Sequence, residues 1–164
     1  MKLYLIRHGI AADRLDYDQD AERPLTRKGE IKTQQVALQL QNRGLVVDAI
    51  LSSPLSRAQQ TAQILLAAGL SHHLETHDTL APGGLLQDWL NWLTASSYNQ
   101  ADSKLALVGH QPDLGAWAES LVWGQFQDKL ILKKAGIIGL SLPDSAASLG
   151  NAQMFLLLSP RWIL

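Results

Sequence analysis

The sequence predicts an α/β fold, a three-layer αβα sandwich built on a mostly parallel sheet. Three observations carry that expectation. Short apolar runs alternate with amphipathic stretches of helical period along the chain, the pattern of strands linked by crossover helices. Strands joined in that way form a largely parallel sheet covered on both faces. The length of 164 residues suits one hydrophobic core and leaves too little chain for two, so one domain over 1–164 is expected.

The elements follow in order. Residues 2–6 (Lys-Leu-Tyr-Leu-Ile) read as a buried first strand. Residues 11–24 are polar and acidic, with Asp13, Asp16, Asp18, Asp20 and Glu22, and read as a loop. Thr26 is placed to cap a helix that runs to Arg43, with Gly44 as its stop. Residues 48–52 read as the second strand, and Ser53-Pro54 as the opening of a helix whose Ala58, Thr61, Ala62 and Leu65 form a core-facing stripe. A short third strand is expected at 73–76 and a third helix at 84–95, with Leu86, Trp89, Leu90 and Leu93 on one face. Residues 105–108 read as a fourth strand. Gly109-His110-Gln111-Pro112 follows, then a helix with the stripe Leu114, Trp117, Ala118 and Leu121. Residues 137–142 and 153–158 read as two last strands, an antiparallel edge hairpin joined by a loop containing Pro143, Asp144 and Gly150.

Composition narrows the function classes. With 14 Lys plus Arg against 15 Asp plus Glu, the chain has no overall field to gather nucleic acid or anionic lipid. Any attraction for an anion must come from a local cluster. The absence of cysteine excludes disulfides, zinc ribbons and thiolate catalysis. No apolar run is long enough for a signal-peptide core or a membrane span, so a soluble cytoplasmic protein is expected.

Chemistry concentrates at three strand ends, where parallel sheets bind their ligands. The first strand ends in Arg7-His8-Gly9, Arg57 lies in the first helical turn after the second, and His110 follows the fourth. If these strands are neighbours, two arginines and two histidines converge. A transferring phosphoryl group spreads charge over three oxygens, and forked, permanently charged guanidiniums match them. A neutral imidazole can attack phosphorus and hold the group covalently. The neighbouring Arg7 and Arg57 are expected to lower the His8 pKa, and Gly9 to let the backbone pass close to the phosphate.

Arg7-His8-Gly9 resembles the signature of the histidine phosphatase superfamily, which includes phosphoglycerate mutases and histidine acid phosphatases. The stretch 52–62 (Ser-Ser-Pro-Leu-Ser-Arg-Ala-Gln-Gln-Thr-Ala) resembles its second motif, and Gly109-His110-Gln111-Pro112 its third. Arg23-Pro24-Leu25-Thr26-Arg27-Lys28-Gly29 and Ala135-Gly136-Ile137-Ile138 resemble the SixA branch, the small phosphohistidine phosphatases. The resemblance implies a phosphoglycerate mutase-like fold, His8 as phosphorylated nucleophile, and Arg7, Arg57 and His110 as phosphoryl-binding residues, with His110 also able to assist proton transfer. It implies no metal and no organic cofactor. Larger relatives insert a lid with an acidic proton donor between the second helix and the fourth strand. Here residues 69–103 are too few for one, so an open site without a lid subdomain is expected. An imidazole leaving group, with a pKa of roughly 6.5, needs a proton donor far less than an alkoxide does. Any acid would lie in the Asp13–Glu22 loop, for instance Asp18.

Weaker signals are set aside. The stretch from Asp16 starts like a calcium loop but has Ala21 and Arg27 where glycine and glutamate belong. His72, His73 and His77 lack a metal-ligand pattern. Trp89, Trp92, Trp117 and Trp123 fit core packing, and Trp162-Ile163-Leu164 is expected to pack the C-terminus down, with exposure as the alternative. The expected activity is hydrolysis of phosphohistidine on a protein, such as a histidine phosphotransfer domain of a phosphorelay or another phosphocarrier, by a monomer or weak dimer acting in signal transduction. The rivals are a phosphatase of small phosphate monoesters with the same mechanism and a non-catalytic phosphohistidine-binding module.

Overall fold

The apolar runs form one six-stranded sheet, and their residues alternate between two cores. The computed structural model describes residues 1–143 and 148–164; the expected loop residue Asp144 lies outside the described residues. The strands are β1 (Lys2–Arg7), β2 (Ala49–Ser52), β3 (Leu74–Thr76), β4 (Lys104–Gly109), β5 (Ile137–Ser141) and β6 (Gln153–Leu158). The helices are α1 (Arg27–Asn42), α2 (Ser56–Ala67), α3 (Leu86–Ala95) and α4 (Asp113–Trp123). The sheet order is β3-β2-β4-β1-β5-β6. β1 through β4 run parallel, and β5 and β6 close one side as an antiparallel hairpin.

Strand side chains point alternately to the two faces. In β1, Leu3 and Leu5 join a core with Trp89, Leu93, Leu114, Trp117 and Leu121 of α3 and α4. Tyr4 and Ile6 join the other with Val36, Ala37 and Leu40 of α1 and Ala58, Ala62 and Leu65 of α2. Two cores on opposite faces of one sheet make the three layers. Thr26 caps α1 by accepting from the Gly29 N–H (3.0 Å), and Gly44 takes the left-handed conformation (φ 77°) that ends the helix segment.

Some expectations are corrected. Ser53-Pro54 does not open α2, which starts at Ser56. The Ser53 N–H stays on the sheet by donating to Val108 O (2.9 Å), and its hydroxyl accepts from the Leu55 N–H (3.3 Å). Trp123 is 47% exposed rather than packed, since it ends α4 beside Gly124. At the C-terminus Trp162 is 83% exposed and only Ile163 packs against the core. No helix among the described residues is long and apolar enough to cross a membrane.

Candidate active site

The sheet order makes β2, β4 and β1 neighbours, with Arg7 beside Gly109 and Ser52 beside Val108. Their carboxyl ends therefore deliver Arg7-His8, Ser53 and His110 to one place, and α2 brings Arg57 in its first turn. All four predicted residues meet there. The rings of His8 and His110 lie 5.2 Å apart between centroids.

His8 is buried, and its Nδ1 lies 2.7 Å from Gly9 O. A carbonyl only accepts, so Nδ1 carries the proton and Nε2 keeps its lone pair. Burial first, then the His110 ring, push the His8 pKa down, the Gly9 carbonyl opposes them, and Arg57 and Arg7 add to the fall; it settles at about 3. The expected direction holds, but burial rather than the arginines is the leading cause. At neutral pH His8 is an uncharged imidazole with one free nucleophilic nitrogen. Close helix packing also requires glycine at position 9, since a Cβ there would lie 2.4 Å from Thr33 Oγ1 on α1. The Gly9 N–H is held by Thr61 Oγ1 (3.0 Å), which itself donates to Arg57 O (2.7 Å).

Each arginine is held at one end. Arg7 donates from Nη1 to Leu132 O (2.9 Å). Arg57, only 3% exposed, donates from Nη1 to Asp20 O and from Nη2 to Asp20 Oδ2, both 2.8 Å. Arg23 donates to Ala12 O (3.1 Å) and pairs through Nη2 with Asp20 Oδ1 (2.9 Å). The Nε atoms of Arg7, Arg23 and Arg57 are buried without a partner. Burial raises the Asp20 carboxyl's pKa, but the bonds and charges of Arg57 and Arg23 outweigh it and hold the group below the usual carboxylate range. Of the acidic loop, Asp20 is thus the residue that meets the arginines, whereas Asp18 is exposed.

His110 places Nε2 2.8 Å from Ser53 Oγ, and its buried Nδ1 has no partner. Burial first, then Arg57, lower its pKa to about 4, with Arg7 and Arg23 adding to the fall and Asp20 opposing it. Among the described residues five buried side-chain polar atoms lack a partner, and four belong to Arg7, Arg23, Arg57 and His110. Buried polar atoms are nearly always satisfied, so such a set marks a place built for an oxygen-rich anion.

The sequence matches the family model of the histidine phosphatase superfamily (branch 1) over residues 3–81. It is 53% identical to an uncharacterized protein of Picosynechococcus sp., across all of this chain and 99% of the relative. It is 28% identical to the phosphohistidine phosphatase SixA of Escherichia coli, covering 94% of this chain and 93% of that one. The solved structure of the protein histidine phosphatase SixA complexed with tungstate superimposes with a TM-score of 0.85 at 26% identity, covering both chains fully. This chain belongs to the histidine phosphatase superfamily.

As a histidine phosphatase of the SixA type it has the expected mostly parallel sheet with an antiparallel edge. Several residues that build the site carry no signal of their own in the sequence. The carbonyls of Gly9 and Leu132 are backbone groups. Leu132 reaches Arg7 because Gln111 clamps residues 130–132, donating to Leu130 O (3.0 Å) and accepting from the Leu132 N–H (3.3 Å). Arg23 and Ser53 stood inside the quoted stretches without a role in the chemistry, Asp20 stood only as one carboxylate of the candidate acid loop, and only the fold brings them to the arginines and His110. His77, from the histidine cluster, bonds Thr79 Oγ1 through Nδ1 (2.7 Å) and packs edge-on to Trp92. Among the described residues no group of three or more His, Cys, Asp or Glu is placed to hold a metal ion.

Proposed function

We propose that this phosphatase hydrolyses phosphohistidine on a partner protein through a covalent phospho-His8 intermediate, without a metal ion. The observation that carries the reading is the His8 ring, with Nδ1–H committed to Gly9 O and Nε2 free, among the unpartnered Nε–H donors of Arg7 and Arg57 and the unpartnered Nδ1 of His110.

The chemistry balances without a separate acid. The His8 Nε2 lone pair attacks phosphorus, and the P–N bond to the substrate imidazole breaks. The substrate ring, protonated from solvent on its other nitrogen as a pKa of roughly 6.5 allows near neutrality, leaves with the P–N electron pair as a neutral imidazole. Arg7, Arg57 and the Nδ1 side of His110 stabilise the charge on the equatorial oxygens. Water then attacks phosphorus, the P–Nε2 bond breaks, and His8 returns neutral with Nδ1–H still on Gly9 O. Asp20, held ionised by its arginines, is a poor proton donor, which disfavours an alkoxide leaving group and favours an imidazole.

Access agrees with a protein substrate. Between α2 and β4 the chain holds only β3, a short 3-10 turn and α3, and α3 spends Trp89, Leu90 and Leu93 on the core rather than on a cover. The similarity to SixA, solved in complex with tungstate, supports a tetrahedral oxyanion as the kind of ligand this chain takes.

The test is phosphate release from a phosphohistidine-bearing phosphotransfer protein in chelator, comparing wild type with His8→Ala. Multiple turnovers that vanish in the variant are expected. Release only from small phosphate esters would move the protein to the monoester reading, and stoichiometric binding with no release to the binding-module reading.

A further inference from the structure

Arg7, Arg23 and Arg57 share one arrangement. In each, Nη1 donates to a backbone carbonyl, Leu132 O, Ala12 O and Asp20 O respectively, while Nε is buried without a partner. A guanidinium offers an end, made by its two Nη atoms, and a side, made by Nε and one Nη; either can fork onto two oxygens. Asp20 takes the end of Arg57 with its carbonyl and Oδ2, and reaches Arg23 Nη2 with Oδ1 (2.9 Å). The Nε side of both groups is left to something else.

We propose that Asp20 is a positioning residue that fixes Arg57 and Arg23 by their Nη ends, and that Arg23 is thereby a third phosphoryl-binding guanidinium beside Arg7 and Arg57. The proposal rests on the phosphoryl-transfer reading above. A carboxylate in an anion site has two opposed effects: it repels the incoming dianion, and it orients the cations that bind it. The geometry favours the second. Asp20 meets Arg57 and Arg23 through Nη atoms and leaves the Nε of both, its one contact with an Nε being that of the half-exposed Arg14 at 3.7 Å, so a phosphate can add to Arg57 and Arg23 without displacing it. It is also the counter-charge that lets Arg23 and Arg57 share one carboxylate; without it their mutual repulsion, with Arg7 and Lys134 close enough to feel the same field, would spread them. The strap that carries Asp20 is pinned at its base by the Ala11–Leu25 bridge and by the Ala12 N–H on Pro24 O (2.9 Å), so the carboxylate is held against the arginines rather than swinging free.

The test measures inorganic phosphate as a competitive inhibitor, together with kcat and KM on a phosphohistidine protein, in wild type, Asp20→Asn, Asp20→Glu and Arg23→Gln. Loss of oriented charge-assisted bonds should weaken phosphate inhibition by about tenfold or more in Asp20→Asn and in Arg23→Gln, with kcat falling more than KM rises. Asp20→Glu should recover part of both. If Asp20 only repels anions, Asp20→Asn will bind phosphate as tightly as wild type or more tightly, which overturns the positioning role. Arg23→Gln removes the guanidinium together with its pairing to Asp20 but leaves both bonds from Arg57 to Asp20, and phosphate inhibition unchanged in it overturns the third-guanidinium role. Wild type that neither turns over a phosphoprotein nor binds phosphate overturns the phosphohistidine reading and this proposal together.

Discussion

Keeping two neutral histidines buried under three arginines makes the fold sensitive to acid in a window that can be calculated. In the unfolded chain a histidine titrates near about 6.5. In the folded protein His8 titrates at about 3 and His110 at about 4. Between those limits the unfolded chain binds more protons, so the stability these sites contribute is full above pH 6.5 and is lost as pH falls toward 3. At pH 5 both folded rings are still neutral, and the loss is set almost wholly by protonation of the unfolded chain: about 2 kcal/mol for each ring, about 4 kcal/mol for the pair. The measurement is urea unfolding at pH 7.5 and pH 5.0, for wild type and His8→Asn. His72, His73, His77 and the carboxylates contribute equally to both proteins and drop out of the difference. The variant should lose about 2 kcal/mol less than wild type between the two pH values. Equal losses in the two proteins would refute the reasoning and mean that the His8 ring is charged, or solvated, in the folded state.

The remaining predictions are more local. Arg57→Lys keeps a charge but loses the fork and both Asp20 bonds, so kcat on a phosphohistidine protein should fall by about a hundredfold in steady-state assays. Gly9→Ala forces a methyl to 2.4 Å from Thr33 Oγ1 and should cost about 3 kcal/mol in urea unfolding, part of it regained when Thr33→Ala is added. Glu119 is buried on α4; burial pushes its pKa up, but backbone N–H groups of the 127–130 loop hold it below the usual range, with Gln127, Lys129 and Leu130 each at 2.5 Å. Glu119→Gln should therefore cost about 3 kcal/mol. Because that loop leads to Leu132, the carbonyl that holds Arg7, the variant should also lower kcat more than thermal stability alone would explain. Ser53→Ala removes the hydroxyl that partners His110 Nε2 and should lower kcat about tenfold with little change in KM.

That Arg7, His8, Arg57 and His110 converge was legible because three of them stand at strand ends and Arg57 in the helical turn after a neighbouring strand, where a parallel sheet brings its groups together whatever the loops do. The elements were legible for the same kind of reason: the stripe Ala58, Thr61, Ala62 and Leu65 is buried as read, and Thr26 caps α1. What stayed hidden was the orientation of the chemistry. Leu132 is 125 positions from Arg7, Ser53 is 57 from His110, and Asp20 is 37 from Arg57, so only the folded topology brings them together. Two of the acceptors, Gly9 O and Leu132 O, are main-chain atoms, about which side-chain identity says nothing. The start of α2 was misread because Ser53 serves two masters, the β2–β4 ladder through its N–H and His110 through its hydroxyl, and both hold it outside the helix. Of Trp162-Ile163-Leu164, for which the sequence allowed either packing or exposure, Ile163 packs and Trp162 is exposed.

The bond from the His8 ring to the carbonyl of the next residue has a stereochemical consequence. Phosphohistidine exists as two isomers, and a free imidazole can form either. Here one ring nitrogen is spoken for in the resting enzyme, so the covalent adduct should be a single regioisomer, with phosphorus on the nitrogen farther from the main chain. In the proposed cycle the ring need not turn over, because the same nitrogen would take up and release the group while the other keeps its proton on Gly9 O. An isomer-selective antibody raised against each phosphohistidine would therefore see a trapped intermediate as one species and be blind to it as the other.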